Sequence, residues 1–184
     1  MDDTVRDLLG VFEEKDVLRD TVIIMTSDHG DEFGEHGGIS HDGKRYSELI
    51  EVPLMIYEPQ RQKGLVCDTL VTTLDISPTI VHLFGLDPVK AFEGSSLLPL
   101  EGYQEKGIFG EAVDKYKSFE TGEEKEVHYY REGDLKIIYR ERDDAWELYD
   151  LKSDPKETRN LIDTSPLTET MKQRIRPRVR RYQG

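Results

Sequence analysis

Two short runs, "TVIIMTS" at residues 21–27 and "EVPLMIY" at 51–57, constrain this chain more than any other feature. Both are apolar and rich in β-branched side chains, so each predicts a buried strand. Buried strands need helices to cover them, which points to an α/β arrangement. Between the two runs, Asp28, His29, Asp31, Glu32, Glu35, His36, His41, Asp42 and Lys44 share one loop with Gly30, Gly34, Gly37, Gly38 and Gly43. A loop of that length inside a compact domain is functional or disordered.

Other elements follow from periodicity. Val5, Leu8, Leu9 and Phe12 form one stripe of a helix. "LVCDTLVTT" (65–73) predicts a third strand, with Cys67 buried in it. "DISPTIVHLFG" predicts a helix capped by Asp75 or Ser77, with Pro78 in its first turn, an apolar face of Ile76, Ile80, Val81 and Phe84, and Gly85 at its end. The turn-rich stretch that follows places a boundary near residue 104. Beyond it, "KGIFGEAV", "EVHYYR", "LKIIYRE" and "AWELYDL" predict short strands, the last three as an antiparallel meander. Trp146, Leu148 and Tyr149 belong to the core and edge of that sheet, and His82 and His128 read as structural. "DKYKSFETGEEKE" predicts a surface loop, and "LTETMKQRIRPRVRRYQG" a helix that Pro177 interrupts or ends. The fold class is therefore α/β: a parallel or mixed sheet with helices over residues 1–104, then a small antiparallel subdomain with a terminal helix over 105–184.

Composition excludes some functions. The chain has 184 residues, enough for one domain or one domain with a small appendage. Its net charge of -13 argues against a nucleic-acid partner, because phosphate recognition draws on clustered Lys and Arg. An anionic substrate would require a metal or local cations to overcome that field. No apolar run approaches the ~18 residues of a membrane span, and the acidic start carries no signal peptide. Cys67 is the single cysteine and allows no internal disulfide. The basic tail "KQRIRPRVRR" reads as a solvated helix end offsetting the chain's own charge.

The loop carries the chemistry. Asp28 and His29 directly follow a strand, where ligands gather in α/β sheets, and carboxylate with imidazole is a metal-ligand pairing. Gly30 would let the backbone approach an ion or substrate closely. The simpler alternative is an Asx-turn at Asp28 with His29 facing water. His36, His41 and Lys44 add two imidazoles and a cation able to hold an oxyanion and protonate a leaving group. Asp31, Glu32, Glu35 and Asp42 read as solvated turn residues that shape the local field.

These residues carry a resemblance. "TVIIMTSDHGDEFGEHG" followed by "H", "GK" and "YSELIEVPLMIY", then "TLDISPTIVHLFGL", "GSSLLPL" and "ELYDLKSDPKETRNL", resembles the later half of a sulfatase of the alkaline phosphatase superfamily, over residues 2–163. The resemblance implies that residues 1–104 are the C-terminal part of the catalytic α/β domain and 105–184 its small antiparallel subdomain. It implies sulfate-ester hydrolysis by an aldehyde hydrate, the formylglycine of that family, beside a divalent metal. Asp28 and His29 fall on the metal pair, Lys44 near a sulfate-contacting lysine, and His41 near a substrate-side histidine; both would serve catalysis and substrate binding. His36 is a supporting candidate on the substrate side. The family's metal is usually calcium, whereas an imidazole at His29 suits manganese, iron or zinc.

One departure matters. The family's Cys/Ser-x-Pro/Ala-x-Arg nucleophile motif is missing, and Cys67 has Thr69 where proline or alanine would stand. The expectation is a C-terminal fragment, inactive alone, whose metal site at Asp28 and His29 is weak or empty. An uncovered sheet edge would then favour a homodimer of the fragment or a rearranged surface. The named rivals are a phosphonate monoester or phosphodiester hydrolase of the same superfamily and a non-catalytic interaction domain. Aryl, carbohydrate and choline sulfates are not distinguished, and localisation would be cytoplasmic only if this chain is the whole product.

Overall fold

The computed structural model describes residues 2–41, 43–59, 61, 63–87, 89–113 and 126–179. Asp42 and nearly all of the expected surface loop, residues 114–125, lie outside them. The chain divides into two units, residues 1–41 with 48–67, and residues 42–47 with 68–184. Residues 68–104 therefore group with the later sheet. Among the described residues, no helix is long and apolar enough to cross a membrane.

The first unit opens with α1 (Asp2–Glu14), on which no residue is fully buried. Two strands, β1 (Ile23–Thr26) and β4 (Leu54–Tyr57), pair with Ile24 opposite Ile56. They run antiparallel, not in the parallel or mixed arrangement expected. Parallel neighbours need a crossover of a dozen residues or more, usually a helix. Here the connection is spent on a hairpin, β2 (Glu32–Phe33) with β3 (Ile39–Ser40), and on the four-residue α2 (Ser47–Ile50). The run at 65–73 forms no strand: Leu65 and Val66 are exposed, as is Cys67, which was expected to be buried.

The second unit holds α3 (Ile76–Leu83), entered through a 3-10 turn at Thr73–Asp75. Asp75 stands at the N-cap position of α3 but makes no side-chain cap bond to it. Instead the Asp75 carboxylate is buried and accepts the Thr72 and Ser95 N–H groups and the Tyr103 hydroxyl. Thr79 is buried too, donating to the Asp75 carbonyl and accepting the Leu97 N–H. These polar anchors turn α3 away from the expected apolar stripe and leave Ile80 and Phe84 exposed. Gly94 seats the returning chain, since a Cβ there would lie 2.2 Å from the Leu74 carbonyl oxygen.

Strands β5 (Ile108–Val113), β6 (Glu126–Glu132), β7 (Leu135–Arg140) and β8 (Ala145–Asp150) form one antiparallel sheet in chain order. The meander thus gains β5 as a fourth strand. Period-two alternation sends Ile137, Tyr139 and Leu148 to one face, against Met171 and Ile175 of α4 (Thr168–Ile175) and against Val179. Val127, Ile138 and Tyr149 pack on the other face with Tyr46. Helix α4 ends before Pro177, which sits in a 3-10 turn at Arg176–Arg178.

The second face carries polar groups that the sequence pattern does not announce. Lys136 and Glu157 are wholly buried and paired at 2.7 Å, and Glu157 also accepts the Ser47 N–H. Glu147 accepts the hydroxyls of Tyr46 and Tyr149, and Arg140 pairs with it. Burial and the Glu147 charge push the Tyr46 hydroxyl up to about 12.

Candidate metal centre at the end of the first strand

Strand β1 stops at Thr26, and side-chain bonds lock the turn after it. Ser27 donates to the His29 carbonyl at 2.7 Å, and the Asp28 carboxylate accepts the His29 N–H at 3.0 Å. That backbone N–H, followed by the N–H of Asp28 itself, holds the Asp28 carboxyl below its usual range. Asp28 thus makes the local turn of the simpler reading and still keeps its second oxygen outward.

The His29 ring is oriented by the Gly30 carbonyl, 2.9 Å from Nδ1. A carbonyl only accepts, so Nδ1 carries the proton and Nε2 keeps its lone pair. Nε2 stands 3.7 Å from Asp28 Oδ2, too far for a hydrogen bond and close enough for both atoms to reach one cation. A ligating histidine whose other nitrogen donates to a backbone carbonyl is the usual arrangement at protein metal sites. The donors fit the divalent metal that the sequence implied.

The hairpin completes the group. Glu32 pairs with Ser40, and Gly34 and Gly37 take positive φ in the turn, so Asp31 and His41 meet at the hairpin's base. His41 Nδ1 lies 3.4 Å from Asp31 Oδ1, and its ring centroid lies 4.4 Å from that of His29. His29, Asp31 and His41 each present a ligand atom within 4.8 Å of the others. Asp31, read from sequence as a solvated turn residue, belongs to this cluster. The signal that could have revealed it was the pair Gly34 and Gly37, which marks a hairpin and thereby fixes what faces what.

His36 is directed elsewhere. Its Nδ1 meets Glu48 at 2.6 Å in a half-buried pair. Glu32 is likewise no solvated turn residue: it is buried and accepts the N–H groups of His36 and Gly38, both at 2.8 Å. Gly30 also acts differently from expectation. A Cβ there would lie 2.0 Å from the Glu48 carbonyl oxygen, and its N–H bonds Leu49 at 3.0 Å, so it is glycine to let α2 approach. Lys44, half-buried, belongs to the second unit.

A family model described as N-sulphoglucosamine sulphohydrolase, C-terminal, matches residues 34–183. The chain belongs to the sulfatase family of the alkaline phosphatase superfamily. This sulfatase chain is 30% identical to an N-acetylglucosamine-6-O-sulfatase of Bacteroides thetaiotaomicron over 94% of its length and 32% of the relative's. It spans about a third of the length of the curated relatives it matches. Its fold matches a structure in complex with its substrate D-glucosamine-2-N,6-O-disulfate, with a TM-score of 0.76, 25% identity, and coverage of 99% of this chain and 38% of that one. A phosphonate monoester hydrolase from Silicibacter pomeroyi matches with a TM-score of 0.78 at 20% identity, covering 97% of this chain and 38% of that one. That second likeness concerns the fold alone.

Proposed function

We propose that this sulfatase chain supplies one wall of a metal-assisted sulfate-ester hydrolase and does not turn over substrate alone. The observation that carries the reading is the pair Asp28 Oδ2 and His29 Nε2, 3.7 Å apart at the end of β1, in a chain of sulfatase sequence. A divalent cation held there would polarise a sulfate oxygen. Asp28 contributes a permanent negative charge, and His29 a lone pair on a ring oriented by the Gly30 carbonyl. Asp31 sits beside His29 as a further donor. His41 and Lys44 are assigned the substrate side, His41 to exchange a proton with the leaving group and Lys44 to balance sulfate charge. The imidazoles favour manganese or another transition metal over the calcium usual in the family.

The nucleophile lies outside this chain, which carries no Cys/Ser-x-Pro/Ala-x-Arg motif. The relatives' names make sulfated amino sugars the first substrates to assay. Reading the sequence encoded upstream of Met1 tests the proposal: that motif should be present, and its absence would overturn the mechanism. In calorimetry, this chain should take up Mn2+ weakly at the loop, and Asp28→Asn or His29→Gln should weaken that uptake about tenfold or more. Turnover of an aryl sulfate by this chain alone would refute the division of labour.

A further inference from the structure

The second unit holds another group of metal-ligating side chains, on the sheet and remote in sequence from the loop. Glu111 on β5 pairs directly with His128 on β6, and Glu126 lies two residues from His128, so alternation brings all three to one sheet face. Their ligand atoms lie within 4.8 Å of one another. Glu141, just past β7, closes the group: its N–H bonds the Glu126 carbonyl, and its carboxylate accepts the Glu126 N–H.

His128 supplies an independent reason to expect a ligand. Its side chain is wholly buried, with Phe109 and Tyr139 stacked beside it at ring-centroid distances of 5.9 and 6.2 Å. Nε2 faces Glu141 Oε1 and Glu126 Oε2, each at 3.4 Å. A carboxylate accepts, so Nε2 carries the proton and Nδ1 the lone pair. Among the described residues that buried Nδ1 has no hydrogen-bond partner, and Glu111 Oε2 lies 3.7 Å away. Two acceptors face each other across a gap too wide for a hydrogen bond. A buried acceptor in that position is costly unless a cation lies between the two.

We propose that His128 Nδ1, Glu111 and Glu126 form a second divalent-cation site of the zinc class, with Glu141 orienting the imidazole through Nε2–H. One nitrogen and two carboxylates suit Zn2+, and bonds of about 2.0–2.2 Å place neighbouring ligand atoms about 3.3–3.6 Å apart in a tetrahedral shell. The 3.7 Å spacing between Nδ1 and Glu111 Oε2 is close to that range, and the Glu126 ligand atom lies within 4.8 Å of the other two. A carboxylate on the Nε2–H is the usual companion of a ligating histidine. Such an ion would fasten β5 to β6 at one end of the sheet and owes nothing to the Asp28 loop.

The test is Zn2+ titration of the full chain carrying Asp28→Asn, His29→Gln, Asp31→Asn and His41→Gln, which removes the loop donors. Calorimetry should show uptake of one Zn2+, and Co2+ substitution should give the visible absorption of a low-coordinate site. Adding E111Q or E126Q should weaken uptake about tenfold or more, E111H should retain it, and E101Q should leave it unchanged. Glu111 is more than half exposed, so E111Q separates loss of a ligand from loss of folding. No uptake in the loop variant, or uptake indifferent to both E111Q and E126Q, would overturn the proposal and leave the imidazole balanced by a proton instead.

Discussion

The β1–β4 sheet and the four-stranded sheet are made of similar residues and end in opposite states. On the four-stranded sheet Ile137, Tyr139 and Leu148 are completely buried, and even Lys136 reaches no solvent. On the two-stranded sheet Met55 is 52% exposed and Tyr57 44%, and the α1 residues Leu8 and Val11 are about half exposed. Strand propensity does not separate them, since "TVIIMTS" is as apolar as "LKIIYRE". Closure does. Both faces of the later sheet are covered within its own unit, by α4 on one side and by Tyr46 and its neighbours on the other. A two-stranded sheet is marginal by itself, and the first unit leaves apolar surface exposed. The candidate metal loop is attached to this less closed unit, which fits a surface completed by something else.

The contrast can be broken most severely at the buried ion pair. Lys136→Met leaves the Glu157 charge in the interior without its ammonium counterion, and should cost about 3–5 kcal/mol in urea unfolding of the second unit. Lys136→Met with Glu157→Leu should recover most of that loss; no difference between single and double variants would show that the pair is not sealed from water.

Gly30→Ala is the matching change in the first unit. The new Cβ meets backbone, not a movable side chain, and should cost about 1–3 kcal/mol while loosening the Asp28 turn, read as weaker Mn2+ uptake.

A smaller effect is expected from acid. Asp28 is held below its usual 3.8 by the His29 N–H, and Asp154 by the Arg159 N–H. A depressed carboxylate stabilises the fold above its unfolded value, and that contribution is lost as pH falls through the folded value. Asp154→Asn should therefore be less stable than the parent at neutral pH, and the gap should close as pH drops below 3.8. Thermal melts of both proteins across that window check the sign.

Met55→Ser is expected to change stability by no more than about 0.5 kcal/mol, because the side chain is already half in water. The same change should reduce self-association in sedimentation velocity if the exposed face of the first unit joins two copies. A clean monomer in the parent protein at high concentration would refute the dimer.

Elements with strong local signals were legible in the sequence. The alternation of "LKIIYRE" and "AWELYDL", the stripe on α1 and the halt at Pro177 all reflect neighbours within a few residues. Asp28 and His29 were legible as candidates because they follow a strand without a break. Features that depend on distant partners were not. Asp75 does stand at the helix N-cap, but its carboxylate serves as a buried acceptor for Ser95 and Tyr103, which the sequence did not announce. Glu32 was read as solvated and is the buried pin of its hairpin. Cys67 lies in an apolar run that no neighbouring strand receives.

The amino-acid order alone determined the strand-forming runs, the family and which residue types crowd the loop after β1. These follow from side-chain chemistry and short-range periodicity. Tertiary structure alone decided that Asp31 joins His29 and His41, that His36 pairs with Glu48, that Gly30 admits a helix, and that His128 is buried among three carboxylates. In each case the deciding quantity is a through-space distance, set by strand register and hairpin closure, which sequence separation does not encode.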